Sequence, residues 1–173
     1  MQQETGNNSY GLTNYNGSQL TTLVILRILI GWHFLYEGIV KILNPYWTSA
    51  GFLSESKWIF TGVFNYILSN PALLKIVDFM NMWGLVAIGL GLIAGCLARV
   101  ASISGALLLL FYYICNPPFI GLKYSAPTEG SYLIINKNLI EMLALIVLAL
   151  FPTSHIIGLD RLLSKKPPAS EEP

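Results

Sequence analysis

LTTLVILRILIGWHFLYEGIVKIL, from Leu20 to Leu43, is an apolar run that carries Arg27, His33, Glu37 and Lys41 within it. About 20 residues of helix span a bilayer, so the run is long enough to cross one. Ionisable groups at membrane depth are costly and mark function by default. Successive helical residues turn by about 100°, which puts His33, Glu37 and Lys41 in one row and Arg27 on the same side, all within an arc of about 120°. The remaining positions are aliphatic or aromatic and suit lipid or packing. The charged side is therefore expected to face the interior of a helix bundle or a wet cavity.

Composition points to the membrane as solvent. Charged residues make up 11 % of the chain and hydrophobic residues 54 %, with a mean hydropathy of +0.58; soluble domains carry roughly 25 % charge. A formal net charge of +1 gives no footing for nucleic acid. Residues 1–19 are polar and lack the basic start and short apolar core of a signal peptide, so they read as a disordered arm. Residues 164–173 read as a second disordered tail.

Three further runs have the length of spans: Phe79 to Ala98, Val100 to Cys115, and Tyr132 to Phe151. The second and third are separated by little more than Arg99, which predicts a tight helical hairpin. The expected fold is an all-α membrane protein, a four-helix transmembrane bundle over residues 20–163. Between the first two spans, Ser56 to Ser69 repeats apolar residues at helical spacing, and Asn70-Pro71 resembles a cap followed by proline at the first helical position. This segment predicts a short interfacial helix, with Tyr46, Trp47 and Trp58 at headgroup level. Half-membrane re-entry is the other reading of the same segment.

Four crossings place both termini on one side. Arg99 in a minimal turn and Lys165-Lys166 close behind the last span favour the cytoplasm, and hence a bacterial-type inner membrane with several passes. Glycines at 84, 91 and 95, and at 31 and 38, predict close-packed helix seams.

Depth sorts the polar residues. At about 1.5 Å per residue, Glu37 lies roughly 9 Å and His33 about 15 Å from Leu43, while Glu141 lies roughly 13 Å from Tyr132. The two acids are thus expected at similar depth, in one pocket with Lys41, Lys137, Asn81, Asn138 and Tyr112 or Tyr113. Interhelical ion pairs that serve as packing devices are one reading. Proton exchange with a quinone is the other, because a carboxyl in low dielectric loads and releases protons near neutrality. In that reading Glu37, Glu141 and His33 carry the chemistry. Arg27, Trp32, Tyr36, Lys41, Asn81, Lys137 and Asn138 line the site, with Trp32 and Tyr36 offering flat apolar surface.

Other redox chemistries find no support. Cys96 and Cys115 fall near opposite ends of the predicted hairpin helix, beyond disulfide reach. No CxxC provides a thiol relay. His33 and His155 lie too far apart along the predicted helices for paired haem ligation. No P-loop, dinucleotide turn or zinc signature is present, so no haem or metal is expected within this chain.

The runs RILIGWHFLYEGIVKILNPYWTSAGFL (Arg27 to Leu53), MNMWGLVAIGLGLIAGCLARVASISGALLLLFYY (Met80 to Tyr113) and EGSYLIINKNLIEMLALIVLALFPTSHIIGLD (Glu129 to Asp160) together resemble the DoxX/DoxD family of small four-helix membrane proteins. The helix-one pattern, Arg27, Gly31, Phe34, Gly38 and Lys41, is the most specific part; Trp83 to Leu85 and Gly158 to Asp160 add to it. The resemblance implies a membrane subunit of the thiosulfate:quinone oxidoreductase type, passing electrons from a soluble or external donor into the quinone pool. It implies a separate redox subunit or a homo-oligomer as partner, beside the lipid bilayer. The fourth helix departs from the DoxD-like pattern, with Asn138 and Glu141 where an acid followed by His is expected, and there is no appended DoxA-like domain. A non-catalytic membrane scaffold or small-solute binder is the competing function class.

Overall fold

The computed structural model describes residues 15–119, 121–122, 124 and 133–163. Most of the two expected tails therefore lies outside the described residues. Among those described, the chain is all-helical: α1 (Gly17–Leu43), α2 (Ala50–Ser54), α3 (Thr61–Ser69), α4 (Pro71–Ala94), α5 (Ala98–Cys115), α6 (Lys137–Leu150) and α7 (Asp160–Leu163). Three of them, α1, α4 and α5, are long and apolar enough to cross a membrane.

Local chemistry sets the boundaries, and several differ from expectation. Helix α1 begins at Gly17, three residues into the expected arm, because the Asn16 amide donates to the Gln19 side chain at 3.0 Å and closes the first turn. Helix α4 starts at Pro71, where proline loses no intrahelical bond, and Asn70 Oδ1 accepts from the amides of Ala72 and Leu73. The turn into α5 is Gly95 to Leu97 rather than Arg99, which lies in the first turn of α5. Gly95 takes the left-handed conformation at φ +65° that ends α4. Helix α6 begins five residues later than the predicted span. Asn136 is extended and its side chain accepts from the Leu139 amide, so the helix has 14 residues, about 21 Å of length.

The long helices pack as two tight pairs, α1 with α4 and α5 with α6. Helices α4 and α5 join the pairs through the hairpin, while α1 and α6 meet only sparsely. The α1–α4 seam is a backbone-to-backbone approach. A Cβ on Gly89 would stand 2.5 Å from the Leu35 nitrogen and 2.7 Å from the Gly31 carbonyl oxygen, so only glycine fits there. Gly31 and Gly38 hold this seam as expected. Gly84, by contrast, faces open space and Gly95 is a cap. The pairs converge at Gly105 of α5, where an added Cβ would touch Phe34, Ile88 and Leu145, one side chain from each other long helix of the two pairs. Around it Leu85, Leu92, Leu109 and Leu148 complete the buried core.

A smaller core of Leu53, Phe64 and Cys115 lies at the end where α1 runs into α2 and α3. Helix α2 has no signature of its own in the sequence. Its start is held by Asp78 of α4, which accepts from Thr48 Oγ1 at 2.8 Å, the Ser49 amide at 2.8 Å and Ser49 Oγ at 2.5 Å. Helix α3 occupies the later part of the segment predicted to be helical. The Thr61 hydroxyl, at its first residue, donates to the Trp58 carbonyl. Cys96 and Cys115 are both free thiols, in the turn before α5 and at its last residue.

At the opposite end, the segment after α6 clasps the α4–α5 turn. The amides of Leu159 and Asp160 donate to the carbonyls of Ala94 and Gly95 at 3.0 and 2.9 Å. The Asp160 carboxylate in turn accepts from the amides of Leu97 and Ala98 at 2.7 and 3.3 Å. Asp160 thereby supplies the anionic cap that Leu97, the residue before α5, cannot.

Candidate functional site

Helix α1 presents two different polar environments, one at each end of its buried stripe. Arg27, Ile30, Gly31, Phe34 and Gly38 form that stripe, at the i, i+3, i+4, i+7 spacing of a helix face. His33 and Glu37 lie at its edge and face the sparsely packed α1–α6 seam. Lys41 lies between them and the centre of the stripe.

Across that seam His33 Nδ1 is 2.7 Å from Glu141 Oε1 of α6, with the histidine side chain 44 % exposed and the carboxylate 14 %. One turn further along α1, Lys41 Nζ bonds Glu37 Oε2 at 2.5 Å and sits 5.7 Å from the Trp47 ring centre, within cation–π range. Lys137 lines the same space as His33, Glu37 and Lys41. Two acids, two lysines and an imidazole therefore share one neighbourhood that is close to neutral. An isolated charge would not be tolerated there.

The side chains enclose a cavity of about 170 Å³ lined by His33, Phe34, Glu37, Lys41, Leu85, Leu109, Tyr112, Lys137 and Asn138. Phe34, Leu85 and Leu109 belong to the core or touch it, so the floor is apolar and the rim polar. Asn81 stands behind the rim, its Nδ2 donating to the Tyr112 hydroxyl at 2.6 Å. Tyr113, the neighbouring residue, turns away and donates to the Ile134 carbonyl at 2.8 Å.

The structure thus gathers His33, Glu37, Lys41, Glu141, Lys137, Asn138 and, through Tyr112, Asn81. It does not gather Arg27, Trp32 or Tyr36. Arg27 is only 3 % exposed, but its guanidinium donates to Thr153 Oγ1 at 3.1 Å and the Ile157 carbonyl at 2.8 Å. It belongs to the clasp around the α4–α5 turn, where a Cβ on Gly95 would stand 3.1 Å from Arg27 Nη2. Ten residues separate Arg27 from Glu37, about 15 Å along the axis, so a shared face did not mean a shared site. Trp32 and Tyr36 are 62 % and 57 % exposed. Each precedes a cavity residue in sequence and so points about 100° away from it.

Among the described residues no group of three or more His, Cys, Asp or Glu side chains has the arrangement of a metal site. The chemistry within reach is hydrogen bonding and proton exchange. Because Nδ1 of His33 is committed to Glu141, Nε2 is the ring atom left for a ligand. Comparison with family models, with curated proteins and with solved structures returns no match in any of the three.

Proposed function

We propose that this chain is the membrane subunit of an oxidoreductase, of the DoxX/DoxD type, whose α1–α6 cavity takes the headgroup of a quinone from the bilayer. The observation that carries the reading is the His33–Glu141 bond, a carboxylate–imidazole pair at the mouth of an intramembrane cavity. Reduction of a quinone to a quinol consumes two electrons and two protons. The electrons come from a reduced donor, thiosulfate-like in the family resemblance, through a separate redox subunit. His33 holds a carbonyl oxygen of the headgroup through Nε2 and passes one of the two protons to it, while Glu141 holds the ring through Nδ1; water at the polar rim returns a proton to Nε2 and supplies the second. Glu37, already closed onto Lys41, tunes the charge of the site. A volume of about 170 Å³ is below the roughly 300–1,000 Å³ of pockets that enclose drug-sized molecules. It suits one ring, with the apolar tail left in lipid.

The membrane arrangement belongs to the same proposal. Helix α6, extended by Ile134 and Ile135 before it and Phe151 after it, makes a fourth crossing. Helices α2 and α3 lie at the outer interface with Tyr46, Trp47 and Trp58. The termini face the cytoplasm of a bacterial-type inner membrane, where Arg99 and Lys165-Lys166 resist translocation.

The test is donor-dependent quinone reduction per folded molecule, in membranes supplied with the cognate soluble partner. Glu141→Gln is expected to lower turnover on the order of 100-fold, as for loss of the carboxylate that holds the proton-donating ring, with expression retained. Unchanged specific turnover would leave a scaffold whose charges are packing devices.

A further inference from the structure

The α5–α6 pair carries an apolar groove of about 310 Å³ that shares no lining residue with the His33 cavity. Helix α5 contributes Arg99, Ile103, Ala106, Leu107 and Leu110 to it, which follow one another at i, i+4, i+7, i+8 and i+11 and so form one stripe. Helix α6 contributes Ile146, Ala149 and Leu150 at the same kind of spacing. Ala106 and Ala149 are buried, whereas Ile103, Leu107, Ile146 and Leu150 are exposed. Two small side chains therefore form the floor of the groove and branched ones its walls.

Arg99 is the charged end of this stripe. It lies in the first turn of α5 and is exposed. Its side chain has neither a hydrogen bond nor an ion pair among the described residues, unlike Arg27, which is spent on Thr153 and Ile157. Arg99 and Leu110 are eleven positions apart, about 16 Å along the helix axis. Half of a hydrocarbon core roughly 30 Å thick is about 15 Å, so the groove has the length of one leaflet, with a cation at the surface end and aliphatic carbon towards the middle. A phospholipid is built to the same plan, and the planar guanidinium fork matches a phosphate. A second apolar groove, between α4 and α5, has no charged lining residue and so no anchor for a headgroup.

We infer that the α5–α6 groove binds one anionic phospholipid, its phosphate on Arg99 and an acyl chain along Ala106 and Ala149. Charge complementarity selects this occupant. A zwitterionic lipid brings its own cation beside the phosphate, whereas a lipid with net negative charge neutralises Arg99. The site needs α6 to lie in the bilayer beside α5, and it is independent of the quinone and its donor.

The experiment takes the full chain in mild detergent and titrates it with phosphatidylglycerol or phosphatidylcholine of identical acyl chains, counting the first bound lipid by native mass spectrometry. Wild type should bind phosphatidylglycerol about fivefold more tightly, the ratio that corresponds to about 1 kcal/mol for one basic side chain at an anionic lipid surface. Lys75→Gln removes an equal charge from an exposed position of α4 and should keep that preference, whereas Arg99→Gln should abolish it. Ala149 lies outside the main core cluster, so Ala149→Leu fills the groove with the fold retained and should weaken both lipids about fourfold, the equivalent of one buried CH2. Equal preference in Arg99→Gln and Lys75→Gln would reduce the effect to diffuse charge. Unaltered binding in Ala149→Leu would take the acyl chain out of the groove, and a lipid-free wild-type dimer that Ala149→Leu dissociates would give the groove to a second copy of the chain. Any of these three results overturns the proposal.

Discussion

The backbone amide of Leu97 donates to the carboxylate of Asp160 at 2.7 Å across 63 residues of sequence. Leu97 itself has φ +48°, a left-handed conformation that a leucine rarely adopts. The carboxylate thus stabilises both the start of α5 and the strained turn before it.

Asp160→Ala should destabilise the folded protein by about 1–2 kcal/mol, the range for loss of a helix N-cap. Burial pushes the Asp160 carboxyl up, but its hydrogen bonds outweigh this and hold it below the ordinary carboxylate value. A depressed folded pKa means that the contribution is complete above the unfolded value of about 3.9. It fades as pH falls from there through the folded value. Thermal unfolding of wild type and Asp160→Ala in detergent should differ by a constant amount from pH 7 to about 5 and converge below about 4. A gap independent of pH would show that the carboxylate charge is not what stabilises the turn.

Gly89→Ala should disrupt the α1–α4 pair, because its methyl group meets backbone atoms of Gly31 and Leu35 that no rotamer change can move. Overpacking of this kind costs about 1–3 kcal/mol or more. Gly84→Ala meets nothing within 4 Å and should be neutral or mildly stabilising through helix propensity. Monodisperse yield and melting temperature of the two variants give the comparison; equal melting temperatures would contradict the close seam.

The His33–Glu141 bond joins two helices, whereas the Glu37–Lys41 pair lies within one. A double-mutant cycle over His33→Ala and Glu141→Gln should report about 1 kcal/mol of coupling, typical of interhelical polar contacts in membranes. The cycle over Glu37 and Lys41 should report about 0.3–0.5 kcal/mol. Reversal of this order in unfolding titrations would place the interhelical bond outside the structural framework.

With Cys96 replaced by serine, a cysteine at Ser69, the last residue of α3, should react with an impermeant maleimide in intact cells. One at Ser170 should not. Labelling at Ser170 alone would invert the proposed orientation.

Much of this arrangement is legible in the sequence because helix periodicity and caps are local signals. The row of His33, Glu37 and Lys41 and the Asn70-Pro71 start of α4 follow from counting residues along helices; counting matches Glu141 to Glu37 in depth, whereas the side chain it bonds is His33. What counting misses is which helices touch. Gly89 has no feature that sets it apart from Gly84, Gly91 or Gly95 until α1 is laid against α4. Helix α2 is five residues long and is capped from Asp78, a partner with no local signature. Arg27 shares a helix face with Glu37 but not a site, because periodicity gives angle around an axis more readily than distance along it. The exposed positions of Trp32 and Tyr36 follow from the same geometry, since a helix turns consecutive residues apart.

The partners of Arg27, Thr153 and Ile157, follow it by 126 and 130 residues, which gives this contact a place in time as well as in space. As the chain is synthesised, α1 is made with its most deeply buried cation, Arg27, unmatched. It keeps that liability while every other long helix is made. Among the described residues, its hydrogen bonds come from the segment beyond α6, which also closes the α4–α5 turn through Asp160. Completion of this contact is thereby tied to nearly the last described residues to be synthesised, so a chain interrupted before them leaves Arg27 without these partners.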